Sequence, residues 1–130
     1  MAKTVIVVDD DPDFLGMLEA VLQPAGYGVV PCLESTAAYQ KAQQLRPDVI
    51  ILDLLMPGQS GWQIIEQLKA DPQTARISVI VCTAAVSDAM LQLAKLRQWG
   101  CQVLLKPFEL RDLLSMVAKA TAQRKPCNCR

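Results

Sequence analysis

Short, mainly apolar runs recur along the chain, and each is followed by a polar loop and by apolar residues at helical spacing. The runs that predict strands lie at residues 5–8, 29–30, 49–52, 77–81 and 103–105. Apolar runs rich in Val and Ile are typical of strands that are covered on both faces. Pro31 places the short second run at an edge of the sheet, because proline has no N–H for a central ladder.

A helix is predicted after each strand. Asp11 followed by Pro12 is typical of a helix start, with an N-cap and then a proline at the first helical position. Ser35 and Thr36 are predicted to cap a second helix that runs to about Arg46. Further helices are predicted around residues 62–68, from 89 to 99 and around 110–117.

Strict alternation of five strands with five helices, joined by short connections, favours crossover helices and a parallel sheet. The predicted class is α/β: a single, doubly wound (βα)5 sandwich of three layers. A length of 130 residues suits one domain, and 52% apolar residues can build its core. We expect the domain to span residues 3–122, with a short, basic, cysteine-containing and disordered tail at 123–130.

Composition excludes several function classes. No apolar run approaches the roughly 20 residues that span a bilayer, and the N-terminus lacks a secretory apolar region, so we expect a cytoplasmic protein without membrane insertion. The absence of histidine excludes Ser-His-Asp and Cys-His catalysis and most catalytic zinc sites. The five cysteines predict reduced, mostly buried thiols, and the pair Cys127 and Cys129 is only a weak metal or redox motif.

Charge is balanced overall but unevenly distributed. Residues 1–65 carry three basic and eight acidic side chains, whereas residues 66–130 carry ten and five. The zero net charge argues against a protein that coats nucleic acid, and the asymmetry suggests an acidic site early in the chain.

Polar side chains directly follow the predicted strands. They are three carboxylates after the first strand, one after the third, a hydroxyl after the fourth and an ammonium after the fifth: Asp9, Asp10, Asp11, Asp53, Thr83 and Lys106. The carboxyl ends of parallel strands meet at one edge of a sheet, where ligands bind in such folds. Carboxylates on neighbouring strands, about 4.8 Å apart, repel one another unless a hard cation such as Mg²⁺ lies among them.

A bound Mg²⁺ attracts phosphoryl groups, and a carboxylate can accept one as an aspartyl phosphate. Each residue singly has an ordinary structural explanation, and for Asp11 we prefer that of a helix N-cap. The coincidence of all of them at one edge favours a phosphate-handling site.

The residues resemble the receiver domain of two-component response regulators. The matching motifs are Val-Val-Asp-Asp-Asp at 7–11, Ile-Leu-Asp-Leu-Leu-Met-Pro-Gly at 51–58, Cys-Thr-Ala at 82–84 and Lys-Pro-Phe at 106–108. The resemblance covers residues 3 to about 122 and implies a flavodoxin-like sheet in the order 2-1-3-4-5. It also implies that Asp53 is the phosphoacceptor and that Asp9, Asp10, Asp53 and the backbone carbonyl of Leu55 bind Mg²⁺.

The resemblance further implies that Thr83 and Lys106 bind the phosphoryl group and act as the switch, with a cis bond between Lys106 and Pro107. Val103 stands where many receivers have an aromatic switch residue, so coupling to the output face is expected to be weaker or to differ. The residues before it, Cys101 and Gln102, lack the acidic groups of receivers that dimerise there, so we expect a monomer or weak dimer.

The expected function is a signalling switch, not an enzyme. It would take a phosphoryl group from a sensor histidine kinase or phosphotransfer protein and change the face formed by the fourth helix, fifth strand and fifth helix. That face would regulate a partner protein or a further output domain, without direct nucleic-acid binding. Leu55 and Ala85 are apolar, so we expect slow to moderate hydrolysis of the acyl phosphate.

Two alternatives stay open. A magnesium-dependent phosphatase with an aspartate nucleophile would use similar chemistry, but it would need a second acid at Leu55. A receiver-like scaffold that is never phosphorylated is the other, and the complete acidic set argues against it.

Overall fold

The computed structural model describes residues 3–54, 56–84 and 93–123. Its centre is a sheet of five parallel strands in the order β2-β1-β3-β4-β5. The strands are β1 (Lys3–Val8), β2 (Tyr27–Cys32), β3 (Val49–Leu52), β4 (Ser78–Thr83) and β5 (Cys101–Leu105). Both the predicted α/β class and the strand order that the resemblance implied are confirmed.

Helices cover both faces of the sheet. They are α1 (Pro12–Leu22), α2 (Ala38–Leu45), α3 (Gly61–Ala70), α4 (Leu93–Gln98) and α5 (Leu110–Gln123), with a 3₁₀ turn at Ser35–Ala37. Successive residues of a strand point to opposite faces. Ile50 and Leu52 therefore pack with the side chains of α2, α3 and α4, whereas Ile51 packs with those of α1 and α5. The result is the predicted three-layer sandwich.

The beginning of the second helix differs from the prediction. Neither Ser35 nor Thr36 caps α2, since the 3₁₀ turn comes first and α2 has no side-chain cap. The Ser35 hydroxyl instead donates a hydrogen bond of 2.8 Å to the Pro57 carbonyl and accepts one of 2.9 Å from the Gln59 N–H. A tertiary contact has replaced the predicted local one, because the hydroxyl is buried between two loops.

Other boundaries move by a few residues. Strand β2 is longer than predicted and lies at the edge of the sheet, as Pro31 indicated. Strand β5 begins at Cys101 rather than at position 103, and the predicted start of the fourth helix lies outside the described residues. Asp11 is the N-cap of α1, where its side chain accepts a hydrogen bond from the Asp13 N–H. Within the described ranges, no helix is long and apolar enough to cross a membrane.

Candidate functional site

The register of the sheet brings the polar strand ends together. Val8 lies beside Leu52, so the residues that follow β1 and β3 leave the sheet side by side. Thr83 lies beside Leu105 at the ends of β4 and β5. We call this end of the sheet the carboxyl edge. Asp9, Asp53, Thr83 and Lys106 are all at this edge, as the sequence predicted.

Lys106 connects two carboxylates at the carboxyl edge. Its Nζ lies 3.1 Å from Oδ2 of Asp53 and 3.2 Å from Oδ2 of Asp9. The Asp9 side chain is 3% exposed, that of Asp53 14% and that of Lys106 25%. The two acids and the lysine are thus shielded enough from water for their charges to interact strongly, while Asp53 and Lys106 are still reachable from solvent.

Burial and the neighbouring charges have opposite effects on the pKa values of Asp9 and Lys106. Burial raises the pKa of the Asp9 carboxyl, against the hydrogen bond from the Asp11 N–H and the charge of Lys106. Burial is also the largest single influence on Lys106 and disfavours its charge. The hydrogen bond to Asp53 and the charges of both carboxylates outweigh it, and the pKa of Lys106 is raised above its ordinary value. The lysine is therefore a fixed positive charge at neutral pH.

The three successive aspartates after β1 have different environments. Oδ1 of Asp9 accepts a hydrogen bond of 3.0 Å from the Asp11 N–H, and Asp9 is buried. Asp10 is exposed at the carboxyl edge, and Asp11 is exposed and caps α1. Only Asp9 of the three is joined to Lys106 by an ion pair that the structure records.

Thr83 ends β4 with a fully buried side chain. Its carbonyl accepts a hydrogen bond of 2.9 Å from the Lys106 N–H, so the switch candidates Thr83 and Lys106 are joined through the backbone. The Lys106-Pro107 bond is cis, as expected. Val103 pairs with Val81 in the sheet and packs against the core on the side of α2, α3 and α4.

The loop after β3 is held close to Asp53 by Gly61. The Gly61 N–H donates a 3.0 Å hydrogen bond to the Leu54 carbonyl, and a Cβ at this position would collide with the backbone of Asp53 and Leu54. Ser60 and Gln63 form a capping box at the start of α3. Leu55 and Ala85, which the sequence analysis named, lie outside the described residues.

The sequence has the same arrangement of motifs as a large group of known proteins. The sequence model of the response regulator receiver domain matches residues 5–118. The chain belongs to this family. Its members are the phosphoaccepting signalling domains of two-component systems, and receiver domains generally bind Mg²⁺ at the phosphorylation site.

Three known proteins show what this receiver domain is similar to. The transcriptional regulatory protein PrrA of Mycobacterium leprae is 34% identical over 121 residues, which cover 93% of this chain and 50% of PrrA. The DNA-binding dual master transcriptional regulator RpaA of Synechocystis is 30% identical over 113 residues, which cover 87% of this chain and 46% of RpaA. The structure of the chemotaxis response regulator CheY4 of Vibrio cholerae matches with a TM-score of 0.81 at 30% identity, covering 92% of this chain and 99% of CheY4.

The lengths of these proteins differ. The chain spans about half the length of the curated relatives it matches and nearly all of CheY4. Regulation of transcription and DNA binding are named for the longer relatives, and chemotaxis for CheY4.

The donor chemistry of this receiver domain suits a hard divalent cation. Asp9 and Asp53 each place a carboxylate oxygen within 3.2 Å of the same nitrogen, so their carboxylates are close neighbours. In the part of the chain that the structure describes, no three acidic, histidine or cysteine side chains are grouped so that together they could hold a metal ion. A site with few protein ligands that leaves room for water is the kind that Mg²⁺ prefers.

Phe14 was not among the predicted site residues. It is an apolar residue of α1, and its ring packs against the core beside α1 and α5. The ring also lies under the ammonium of Lys106, with Nζ 4.1 Å from the ring centroid. No local motif in the sequence signals this contact, since 92 positions separate the two residues.

Proposed function

We propose that this chain is a phosphorylation switch in which Asp53 accepts a phosphoryl group from a sensor histidine kinase or a phosphotransfer protein. The ion pair between Lys106 and Asp53 is the observation that carries the proposal. It places a fixed positive charge beside a carboxylate that is partly exposed and can therefore meet a donor. A phosphatase would need a second acid at position 55, where leucine stands.

The transfer is a displacement at phosphorus. An oxygen of the Asp53 carboxylate forms a bond to phosphorus as the bond from phosphorus to the donor imidazole nitrogen breaks. The imidazole keeps the electron pair of that bond and takes up a proton. Lys106 stays beside Asp53 and stabilises the negative charge on the phosphoryl oxygens by hydrogen bonding.

We propose that Asp9, Asp10 and Asp53, with the backbone carbonyl of Leu55, are the protein's contribution to a Mg²⁺ site. When bound, the ion supplies positive charge to the phosphoryl oxygens. The role of Asp9 would be to position the site, because its two oxygens already accept hydrogen bonds from Lys106 and from the Asp11 N–H. Asp10, which is exposed, would be the more direct ligand.

After transfer, Asp53 carries nearly two negative charges. We propose that the Thr83 hydroxyl and Lys106 rearrange around the new phosphoryl oxygens. The change would pass to β5 and the helices α4 and α5, because Lys106 directly follows β5 and is hydrogen-bonded to Thr83. A groove of about 580 Å³, lined among others by Leu105, Phe108 and Arg111, adjoins this face and supports its use by a protein partner.

The remaining partner and location assignments follow from the same proposal. The donor is a phosphohistidine protein of the cytoplasm, and the output is a partner protein or a further domain. That the chain is a monomer or weak dimer and does not itself bind nucleic acid stays a prediction.

The test uses acetyl phosphate as donor, with and without Mg²⁺, and intact mass as the readout. We expect the mass to rise by one phosphoryl group in the presence of Mg²⁺, and the gain to disappear in Asp53→Asn. Asp11→Asn is the matched control, because asparagine also serves as an N-cap and that residue is not proposed to bind the ion. An Asp53→Asn protein that still gains the phosphoryl group would contradict the assignment of the acceptor, and a wild type that gains none would favour the scaffold.

A further inference from the structure

Among the described residues, three groups contact the ammonium of Lys106: the carboxylates of Asp9 and Asp53 and the ring of Phe14. A lysine has four flexible side-chain torsions, so two carboxylates on neighbouring strand ends do not by themselves fix its position. The face of an aromatic ring carries negative electrostatic potential and attracts a cation within about 6 Å. At 4.1 Å from the centroid, Nζ is well inside that range.

The ring of Phe14 is itself held in place. Phe108 meets it edge-on, with the centroids 6.3 Å apart and the planes at 81°, which is a favoured aromatic geometry. Phe14 lies in the first turns of α1, and Phe108 comes two residues after Lys106. The aromatic pair therefore joins the start of α1 to the loop that carries the lysine.

We propose that Phe14 is a positioning residue for phosphoryl uptake, which acts by holding the ammonium of Lys106 at Asp53 through the face of its ring. The inference rests on the proposed function. In the reaction with acetyl phosphate, an Asp53 oxygen bonds to phosphorus, the bond from phosphorus to the acetyl oxygen breaks, and acetate leaves with its electron pair. The ammonium of Lys106 must lie beside Asp53 while charge is redistributed over the phosphoryl oxygens. A lysine that is already held there loses no further conformational freedom during the reaction, which lowers the barrier.

The first test compares Phe14→Leu with Phe14→Tyr. Leucine fills apolar space without an aromatic face, and tyrosine keeps the face. We expect the rate constant for phosphorylation by acetyl phosphate to fall by about fivefold in Phe14→Leu and to be restored in Phe14→Tyr. In NMR spectra, the ε-methylene protons of Lys106 should lose their upfield ring-current shift in Phe14→Leu and retain it in Phe14→Tyr.

The second test separates electrostatics from packing. Phenylalanine analogues with one, two and three ring fluorines, inserted only at position 14, keep the shape of the ring but weaken its negative face stepwise. We expect the rate constant to fall with each added fluorine. The matched control places the same analogues at position 108, the only other phenylalanine, where no ordered decline is expected.

The outcomes distinguish this inference from the proposed function. If the wild type is phosphorylated on Asp53 and the fluorine series at position 14 is flat, Phe14 has no electrostatic role and the inference is wrong, even where Phe14→Leu is slow or poorly folded. An unchanged rate in Phe14→Leu overturns it equally. If the wild type is not phosphorylated at all, the proposed function itself is wrong.

Discussion

The hydroxyl of Ser35 donates a 2.8 Å hydrogen bond to the carbonyl oxygen of Pro57, across 22 positions of sequence. The hydroxyl oxygen of Ser35 also accepts a 2.9 Å hydrogen bond from the Gln59 N–H. Ser35 is 3% exposed, and the close approach is possible because Gly58, with φ of +84°, presents no side chain to it. One buried hydroxyl thus joins the loop after β2 to the loop that follows Asp53.

Ser35→Ala should destabilise the protein by about 1–3 kcal/mol, because the two hydrogen bonds that the buried hydroxyl makes with the Pro57 carbonyl and the Gln59 N–H are lost together. Urea unfolding followed by circular dichroism measures the change. Thr36→Ala is the control, since Thr36 is exposed, and we expect its effect to stay within about 0.5 kcal/mol. Equal stabilities of Ser35→Ala and wild type would show that the two hydrogen bonds contribute nothing net.

Gly61→Ala should be more damaging than a helical Gly→Ala substitution normally is. The added methyl group would collide with the backbone of Asp53 and Leu54, which has no freedom to rotate away. We expect a loss of about 1–3 kcal/mol in the free energy of unfolding and slower phosphorylation, since Asp53 must shift.

Gly16→Ala is the matched control on α1. Apart from its chain neighbours and the backbone of its own helix, no atom lies within 4 Å of the Cβ it would add. Alanine is also the better helix former, so we expect a gain of about 0.5–1 kcal/mol. Similar effects of the two substitutions would rule out the close approach at Gly61 as the cause.

Lys106→Met should slow phosphorylation of Asp53 by about 100-fold or more, because a pre-positioned donor to the charged oxygens is lost while the aliphatic bulk is kept. Single-turnover reactions with acetyl phosphate measure the rate, and circular dichroism verifies the fold. Lys119→Met removes an exposed lysine from α5 and should react like the wild type. A normal rate in Lys106→Met would remove Lys106 from the proposed site.

Asp71 provides a pH-dependent contribution to stability. Its Oδ2 accepts hydrogen bonds from the Tyr39 hydroxyl at 2.7 Å and from the Gln43 amide at 3.1 Å, and these contacts join α2 to the end of α3. The bond from Tyr39 is the main reason that the pKa of Asp71 lies below its ordinary value of 3.8. The pKa of Asp71 is thus lower in the folded than in the unfolded state. The contribution of its ionised carboxylate to stability is therefore complete above pH 3.8 and is lost as the pH falls through the folded-state pKa.

Asp71→Asn should therefore be less stable than the wild type at pH 7, with the difference narrowing as the pH falls below about 3.8. Urea unfolding at several pH values between 2 and 7 measures it. Tyr39→Phe removes the strongest hydrogen bond to Asp71 and should show a weaker dependence on acid than the wild type. A stability difference that is constant over this range would mean that ionisation of Asp71 is not involved.

Much of the molecule could be predicted from local signals. The apolar runs identified all five strands, because strands that are covered on both faces are rich in apolar side chains. Burial is most complete along the central strands β1, β3 and β4. The N-cap at Asp11 was predictable because its hydrogen bond reaches only to the Asp13 N–H. The prediction for Ser35 was wrong for the opposite reason. A serine hydroxyl can hydrogen-bond either to the N–H groups at a helix start or to a loop that is distant in sequence, and the sequence does not show which partner lies closer in the fold.

The sequence alone determined which side chains meet at the carboxyl edge of the sheet, because parallel strand direction follows from the apolar runs and the short crossover connections. The order of the strands was implied by the resemblance to receiver domains. Tertiary structure decided how these side chains pair. Asp9 rather than Asp10 contacts Lys106, and Phe14 lies under the ammonium, because burial, hydrogen-bond direction and ring orientation depend on atoms that are far apart in the chain.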